Sequence, residues 1–260
     1  MLCYETVAMT YSGQGGIDMK TGMLKAFAVL ILIIHSLTTM AYAAVSVNKL
    51  SIILSNDLWE NSITGTITAA ESGLPLQSGT VTLDNRSAPI TEGRFTLSDV
   101  PVGTQALKIT GPYRQPTTVT VVVEPGTNRL DFSVKSSLNE EEIDALARIT
   151  RAEAEGETAV GKAAVAATVL NRVESDRYPS TITGVIYQRV NGRYQYSPVA
   201  DGRIKLAPRA QDYQAAFQAL AGFDPTNGAT GFFNPAKTTD RWVRSHPVTA
   251  VIGGHTFFRY

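Results

Sequence analysis

Cysteine and histidine are nearly missing from this 260-residue chain, which has 1 Cys and 3 His. A disulfide framework needs paired thiols, and a Cys-rich zinc site needs more ligands than these. Net charge is missing too, because 23 Lys+Arg meet 23 Asp+Glu. Binding to nucleic acid through bulk positive charge is thereby excluded. With only 18 % charged and 43 % hydrophobic residues, the chain has little self-repulsion to hold it open and enough apolar surface to fold. No His-Glu-x-x-His pattern for a zinc hydrolase and no Gly-x-Ser-x-Gly nucleophile turn occurs. What remains for chemistry is carboxylates, and no metal or cofactor is expected.

Residues 1–43 read as a leader. Lys25 precedes the apolar run Ala26 to Ile34, and Ala41-Tyr42-Ala43 follows, the order of a secretory signal peptide over 23–43. The run is shorter than the ~20 apolar residues that span a bilayer, so cleavage after Ala43 is expected, with an uncleaved membrane anchor as the alternative. Met23 is the more natural start for such a peptide. Cleavage removes Cys3 and leaves no thiol for catalysis. The expected location is the periplasm, cell wall or extracellular space.

Residues 46–135 read as strands. Ser62 to Thr68, Thr80 to Leu83 and Gln105 to Ile109 alternate in polarity, and Thr118 to Val123 is β-branched. Gly73-Leu74-Pro75, Asp84-Asn85, Glu92-Gly93 and Pro125-Gly126 punctuate them, which predicts a small antiparallel sandwich. The order Gly65-Thr66-Ile67, Gly73-Leu74-Pro75-Leu76, Gly93-Arg94-Phe95, Val100-Pro101-Val102-Gly103 resembles carboxypeptidase-regulatory, transthyretin-like modules. Such modules serve as spacers or adhesive units.

Helical patterns follow over 136–260. Asn139 is an N-cap with Glu142 placed for a capping box, and Ile143, Leu146, Ala147 and Thr150 form one apolar stripe. Gly161 to Val173 and Ala210 to Leu220 are further helices. Between the first two lies Ala152-Glu153-Ala154-Glu155-Gly156-Glu157. Glu153 falls seven positions after Leu146, at the edge of the stripe, whereas Glu155 points away. Partial burial raises a carboxyl's pKa toward the range of a general acid at neutral pH. The spacing fits a solvated acidic turn equally well, and Glu157 is placed to cap the next helix.

The second half resembles bacterial cell wall hydrolases of the SleB, spore cortex-lytic type over roughly residues 142–259. The pieces are Ala152 to Glu157, Gly161 to Val173, Tyr178-Pro179, Gly184 to Tyr187, Tyr196-Ser197-Pro198-Val199, Asp201-Gly202, Phe233 to Lys237 and Val251 to His255. The resemblance implies a mainly helical lysozyme-like fold acting on peptidoglycan glycan strands, with Glu153 as the catalytic residue. The chain departs from the family in having Glu155 where Arg is common. The resemblance further implies a lytic transglycosylase using one Glu. A muramidase with a second carboxylate, for which Asp201 is the candidate, and a non-catalytic wall-binding protein are the alternatives.

Gln195, Tyr196, Ser197, Phe233, Asn234 and Trp242 are expected to bind sugar, aromatics by stacking and polar groups by hydrogen bonds, and Tyr194 and Phe232 offer further rings. Glu157 and Asp201 are possible supporting residues. From Thr158 onward 12 Lys+Arg outnumber 6 Asp+Glu, and Arg241 and Arg244 flank Trp242 as candidate contacts for anionic peptide stems. A monomer is assumed.

Overall fold

In the computed structural model the described residues are 61–259, and the leader of residues 1–43 lies outside them. Strand β1 (Ser62–Ala69) carries Ile63, Gly65, Ile67 and Ala69 inward at every second position, as a strand with one buried face must. It pairs antiparallel with β4 (Arg94–Leu97) and parallel with β7 (Thr127–Arg129) and β8 (Phe132–Val134). A second sheet runs β3 (Arg86–Pro89), β2 (Thr80–Leu83), β5 (Gly103–Thr110), β6 (Thr117–Val123), all antiparallel. Both sheets feed one core, with Ile63, Ile67, Phe95, Val81, Leu107 and Ile109 buried together. Gly65 has to be glycine, because a Cβ there would lie 1.6 Å from the Leu130 carbonyl oxygen where the chain crosses from β7 to β8.

Helix α1 (Glu140–Ala154) starts on a complete capping box: Asn139 Oδ1 accepts from Glu142 N at 2.9 Å, and Glu142 Oε2 accepts from Asn139 N at 3.2 Å. Helix α2 (Ala159–Val173) is capped by Thr158, whose hydroxyl accepts from Gly161 N. Its small side chains are buried from Gly161 to Leu170, so α1 and α5 (Ala210–Leu220) approach it closely from two sides. Short helices α3 (Ile182–Ile186) and α4 (Ser197–Asp201) lie between, separated by the hairpin of β9 (Arg189–Val190) and β10 (Arg193–Tyr194).

The C-terminal stretch, read from sequence only as rich in Gly, Pro and aromatics, forms a three-stranded sheet. Its order is β11 (Gly231–Phe233), β13 (His255–Phe258), β12 (Val248–Ile252), with the four-residue helix α6 (Arg241–Arg244) between β11 and β12. Phe257 carries this sheet onto Ala154, Ala164 and Val165 at the α1–α2 junction.

The sheets of residues 62–134 dock on the helices. Gln77 N donates to Ala221 O, the buried Arg114 donates to Leu220 O while pairing with Glu71, and Tyr113 Oη donates to Leu170 O. Ala221, just past α5, is buried in the sheets' own core. These contacts lie at the C-terminal ends of α2 and α5, whereas the acidic motif lies between the end of α1 and the start of α2.

Candidate active site

Glu153 sits in the last turn of α1, flanked by buried Ala152 and Ala154. It opens into a cavity of about 350 Å³ whose walls come from four separate places: Ser197 at the start of α4, Arg203 after it, Phe232 and Phe233 on β11 with Asn234 just past its end, and His255 on β13. Lys237, Thr238 and Val243 close the remaining side. Burial pushes the Glu153 carboxyl from its ordinary 4.5 up to about 7. Arg203, Arg172 and Lys237 pull it back with their positive charge, and Asp201 adds to the rise. An acid in that range holds its proton near neutrality and gives it up readily, as a general acid requires.

Arg203 is anchored, not free. Its Nη1 donates to the Ala152 carbonyl at 2.8 Å and its Nε to Asp201 Oδ2 at 3.0 Å. Asp201 is exposed, lies outside the cavity wall, and is held below the usual carboxylate range by backbone and side-chain hydrogen bonds from Arg203. It remains an anion that serves the arginine.

Glu157 does not cap α2, since Thr158 does. Its carboxylate accepts from Gly254 N at 3.1 Å and lies 3.4 Å from His255 Nδ1. Gly253 in this turn has φ +56°, and a Cβ on it would fall 1.9 Å from Glu157 Oε2, so the turn admits the carboxylate only as glycine. Glu157 thus ties down the turn that leads into His255, which stands edge-on to Phe232 at 5.2 Å in the cavity wall. Burial lowers the pKa of His255 and Lys237 lowers it further, against the opposing charge of Glu157. The net shift favours the neutral ring.

Of the sugar-binding candidates, the fold brings Ser197, Phe233 and Asn234 to Glu153. Tyr196 is in the core instead, 2 % exposed, with its ring 4.9 Å from the Arg172 guanidinium. Its alternation with exposed Gln195 and Ser197 turns it inward. Gln195 is exposed and does not line the cavity; its backbone N donates to Gln188 O. Trp242 is 58 % exposed, packed against His246 at 4.5 Å, while its neighbour Val243 faces the cavity. Tyr194 is engaged by Arg189, which stacks on its ring and donates to its hydroxyl.

Arg244 is engaged within the fold, where its Nη2 donates to Pro235 O and Thr238 O. Glu155, the departure from the family pattern, is exposed and pairs with Arg209 at 2.7 Å and Arg151 at 3.7 Å. Arg203, Lys237, Thr238, Val243 and His255 were not singled out as site residues from sequence. No periodicity relates them to Glu153, and Arg203 is flagged only by following Asp201-Gly202.

A larger cavity of about 600 Å³, lined by Glu71, Glu140, Glu141 and Asp144, is a poorer candidate for acid catalysis. Burial works against ionisation of Asp144, but hydrogen bonds from Tyr213 and Arg148 outweigh it and hold this carboxyl below its usual range. Among the described residues no group of three or more His, Cys, Asp or Glu gathers as metal ligands.

The family described as Cell Wall Hydrolase matches residues 156–258. A spore cortex-lytic enzyme of Halalkalibacterium halodurans is 37 % identical over 135 residues, which is 52 % of this chain and 38 % of that protein. This C-terminal part of the chain belongs to the SleB-type cell wall hydrolase family. A spore cortex-lytic enzyme of Bacillus cereus is 36 % identical over 132 residues, 51 % of this chain and 48 % of that protein. The chain therefore spans less than half the length of these two curated relatives. The catalytic domain of the germination-specific lytic transglycosylase SleB from Bacillus anthracis is 36 % identical and aligns with 47 % of this chain and 98 % of its own, at a TM-score of 0.44. The family match begins three residues after Glu153, so the SleB-type region and the acid's helix adjoin in sequence as well as in space.

Proposed function

We propose that the SleB-type domain cleaves the glycosidic bond of peptidoglycan glycan strands as a lytic transglycosylase, with Glu153 acting alone. One observation carries this: a carboxyl whose pKa is pushed up to about 7 faces a cavity with no second carboxylate among the described residues of its wall. Protonated Glu153 gives its proton to the glycosidic oxygen, and the muramyl C1 gains oxocarbenium character as the bond breaks. The resulting carboxylate then takes the proton of the muramyl 6-hydroxyl as that oxygen attacks C1. A 1,6-anhydro end forms and Glu153 is protonated again. Phe232 and Phe233 provide flat apolar faces for sugar rings, and Ser197, Asn234 and Thr238 provide hydrogen bonds.

Mass spectrometry of digested purified peptidoglycan tests the reading. Anhydro ends are expected. Reducing ends would mean hydrolysis with a second carboxylate, and no new ends would mean a wall-binding protein. The leader is proposed to export the chain, and the sheets of residues 62–134 to act as a transthyretin-like module that braces the catalytic domain or touches the wall.

The pH dependence follows from the direction of the Glu153 shift. The first step needs the protonated acid, so kcat/KM should be level below pH 7 and fall about tenfold per unit above it. A midpoint near 4.5, the ordinary value for Glu, would mean that the acid is solvated. Replacing Asp201 with Asn removes a charge that raises the Glu153 pKa and releases Arg203 to lower it, so the midpoint should move to lower pH. The rate on the acid side should persist. A loss of roughly 10²–10⁴-fold there would make Asp201 the second catalytic carboxylate.

A further inference from the structure

The cavity is more cationic than a neutral sugar requires. Arg203 is matched by Asp201, with Nη2 and Oδ2 3.0 Å apart. Lys237 is not matched: among the described residues no carboxylate oxygen lies within 4 Å of its ammonium, although its charge is felt by both Glu153 and His255. When Glu153 is protonated, the wall therefore carries one unbalanced positive charge.

The position of Lys237 is built. Asn234 Oδ1 accepts from Ala236 N at 2.9 Å, and Asn234 O accepts from Lys237 N and Thr238 N at 3.0 and 3.1 Å. The Arg244 guanidinium ties Pro235 O and Thr238 O from outside at 2.6 and 2.7 Å. Arg244 also lies over the Phe233 ring at 5.7 Å, which fixes the clamp to β11. A loop held at both ends thus presents a lysine beside the acid. For protonating a glycosidic bond alone, this cation is a disadvantage, because it favours the ionised form of Glu153. Its benefit lies in what it holds.

We propose that Lys237, with Arg203 beside it, forms an anion subsite that takes a carboxylate carried on the muramyl residue at the cut. This rests on the glycan-strand reading above and narrows the substrate to strands whose muramyl substituent is ionised. One unbalanced charge suits one carboxylate. The carboxylate has two sources, the free lactyl group of a strand stripped of peptide and the acids of an attached stem. A muramyl residue whose acid is tied up in a neutral amide or lactam with no stem offers neither.

Three substrates separate the possibilities: strands with intact stems, strands stripped by an amidase, and stripped strands whose carboxylates are capped with methylamine by carbodiimide coupling. Initial rates of new ends at low substrate are measured for the parent protein and for Lys237→Met. The parent should cut the capped strands about tenfold more slowly than the strand type that supplies the carboxylate. Lys237→Met should raise KM about tenfold on the strand type that supplies the carboxylate, and the penalty should shrink to about twofold on capped strands. A penalty confined to stripped strands assigns the lactyl group, and one confined to stem-bearing strands assigns the peptide. An equal penalty on all three, or no penalty on any, would overturn the subsite. If the parent protein produces no new ends from any strand, the glycan-cleaving reading falls first, and the subsite with it.

Discussion

Glu153→Gln is expected to lower kcat by roughly 10³-fold while leaving the fold intact. The amide has the shape of the protonated acid and fits the same cavity wall, but it neither delivers a proton to the leaving oxygen nor recovers one from the attacking hydroxyl. Stability should move the other way. Because burial raises the folded-state pKa from 4.5 to about 7, the native state is favoured where the group is protonated and loses that advantage as pH rises through 7. Glutamine carries no such liability. At pH 8 the variant should be more stable than the parent by about 1–3 kcal/mol, and at pH 4 the two should be alike. Thermal melts at the two pH values and digestion of purified peptidoglycan check both halves. Retained activity would remove Glu153 from the reaction, and a variant less stable than the parent at pH 8 would mean that the carboxylate makes contacts which outweigh its burial.

The second large effect concerns the fold behind the site. Lys162 Nζ on α2 lies 2.6 Å from Asp212 Oδ1 on α5, with the two side chains 3 % and 0 % exposed. Removing one partner strands the other charge away from water, which costs about 3–5 kcal/mol. That is a large part of the ~5–15 kcal/mol that holds a domain folded. Lys162→Met should therefore shift the denaturant midpoint far downward or prevent soluble expression. The double variant Lys162→Met, Asp212→Leu should recover most of the loss, since apolar side chains of similar volume replace buried ion pairs at little cost. Recovery should stop short by about 1 kcal/mol, because Asp212 Oδ2 also accepts from Arg209 N at 2.9 Å at the start of α5. A single variant as stable as the parent would mean that water reaches the pair.

The α1 cap shows what local chemistry makes legible. Asn139 and Glu142 are three residues apart, and their reciprocal hydrogen bonds depend on nothing distant. The inward face of β1, set by an alternation of period two, is readable for the same reason. The position of Glu153 was readable as well, since two helical turns link Leu146 to it. Tyr196 shows where such reading stops. An aromatic next to Ser197 suits a sugar platform as well as a core, and the choice depends on Arg172, twenty-four residues earlier in the chain, whose buried guanidinium takes the ring. Spacing offers Glu157 to the nearest helix start, whereas the turn that accepts it lies 97 residues on.

Residue types alone thus left carboxyl groups as the candidates for chemistry, and spacing placed Glu153 at the edge of an apolar stripe without telling it from a solvated acidic turn. Its company was decided only by folding. Arg203, Lys237 and His255 reach it from a turn, a clamped loop and a strand separated by tens of residues, and no repeat in the sequence encodes that meeting. The proton affinity of Glu153 is a property of that shared space, because desolvation and charge act through distance in three dimensions and not along the chain.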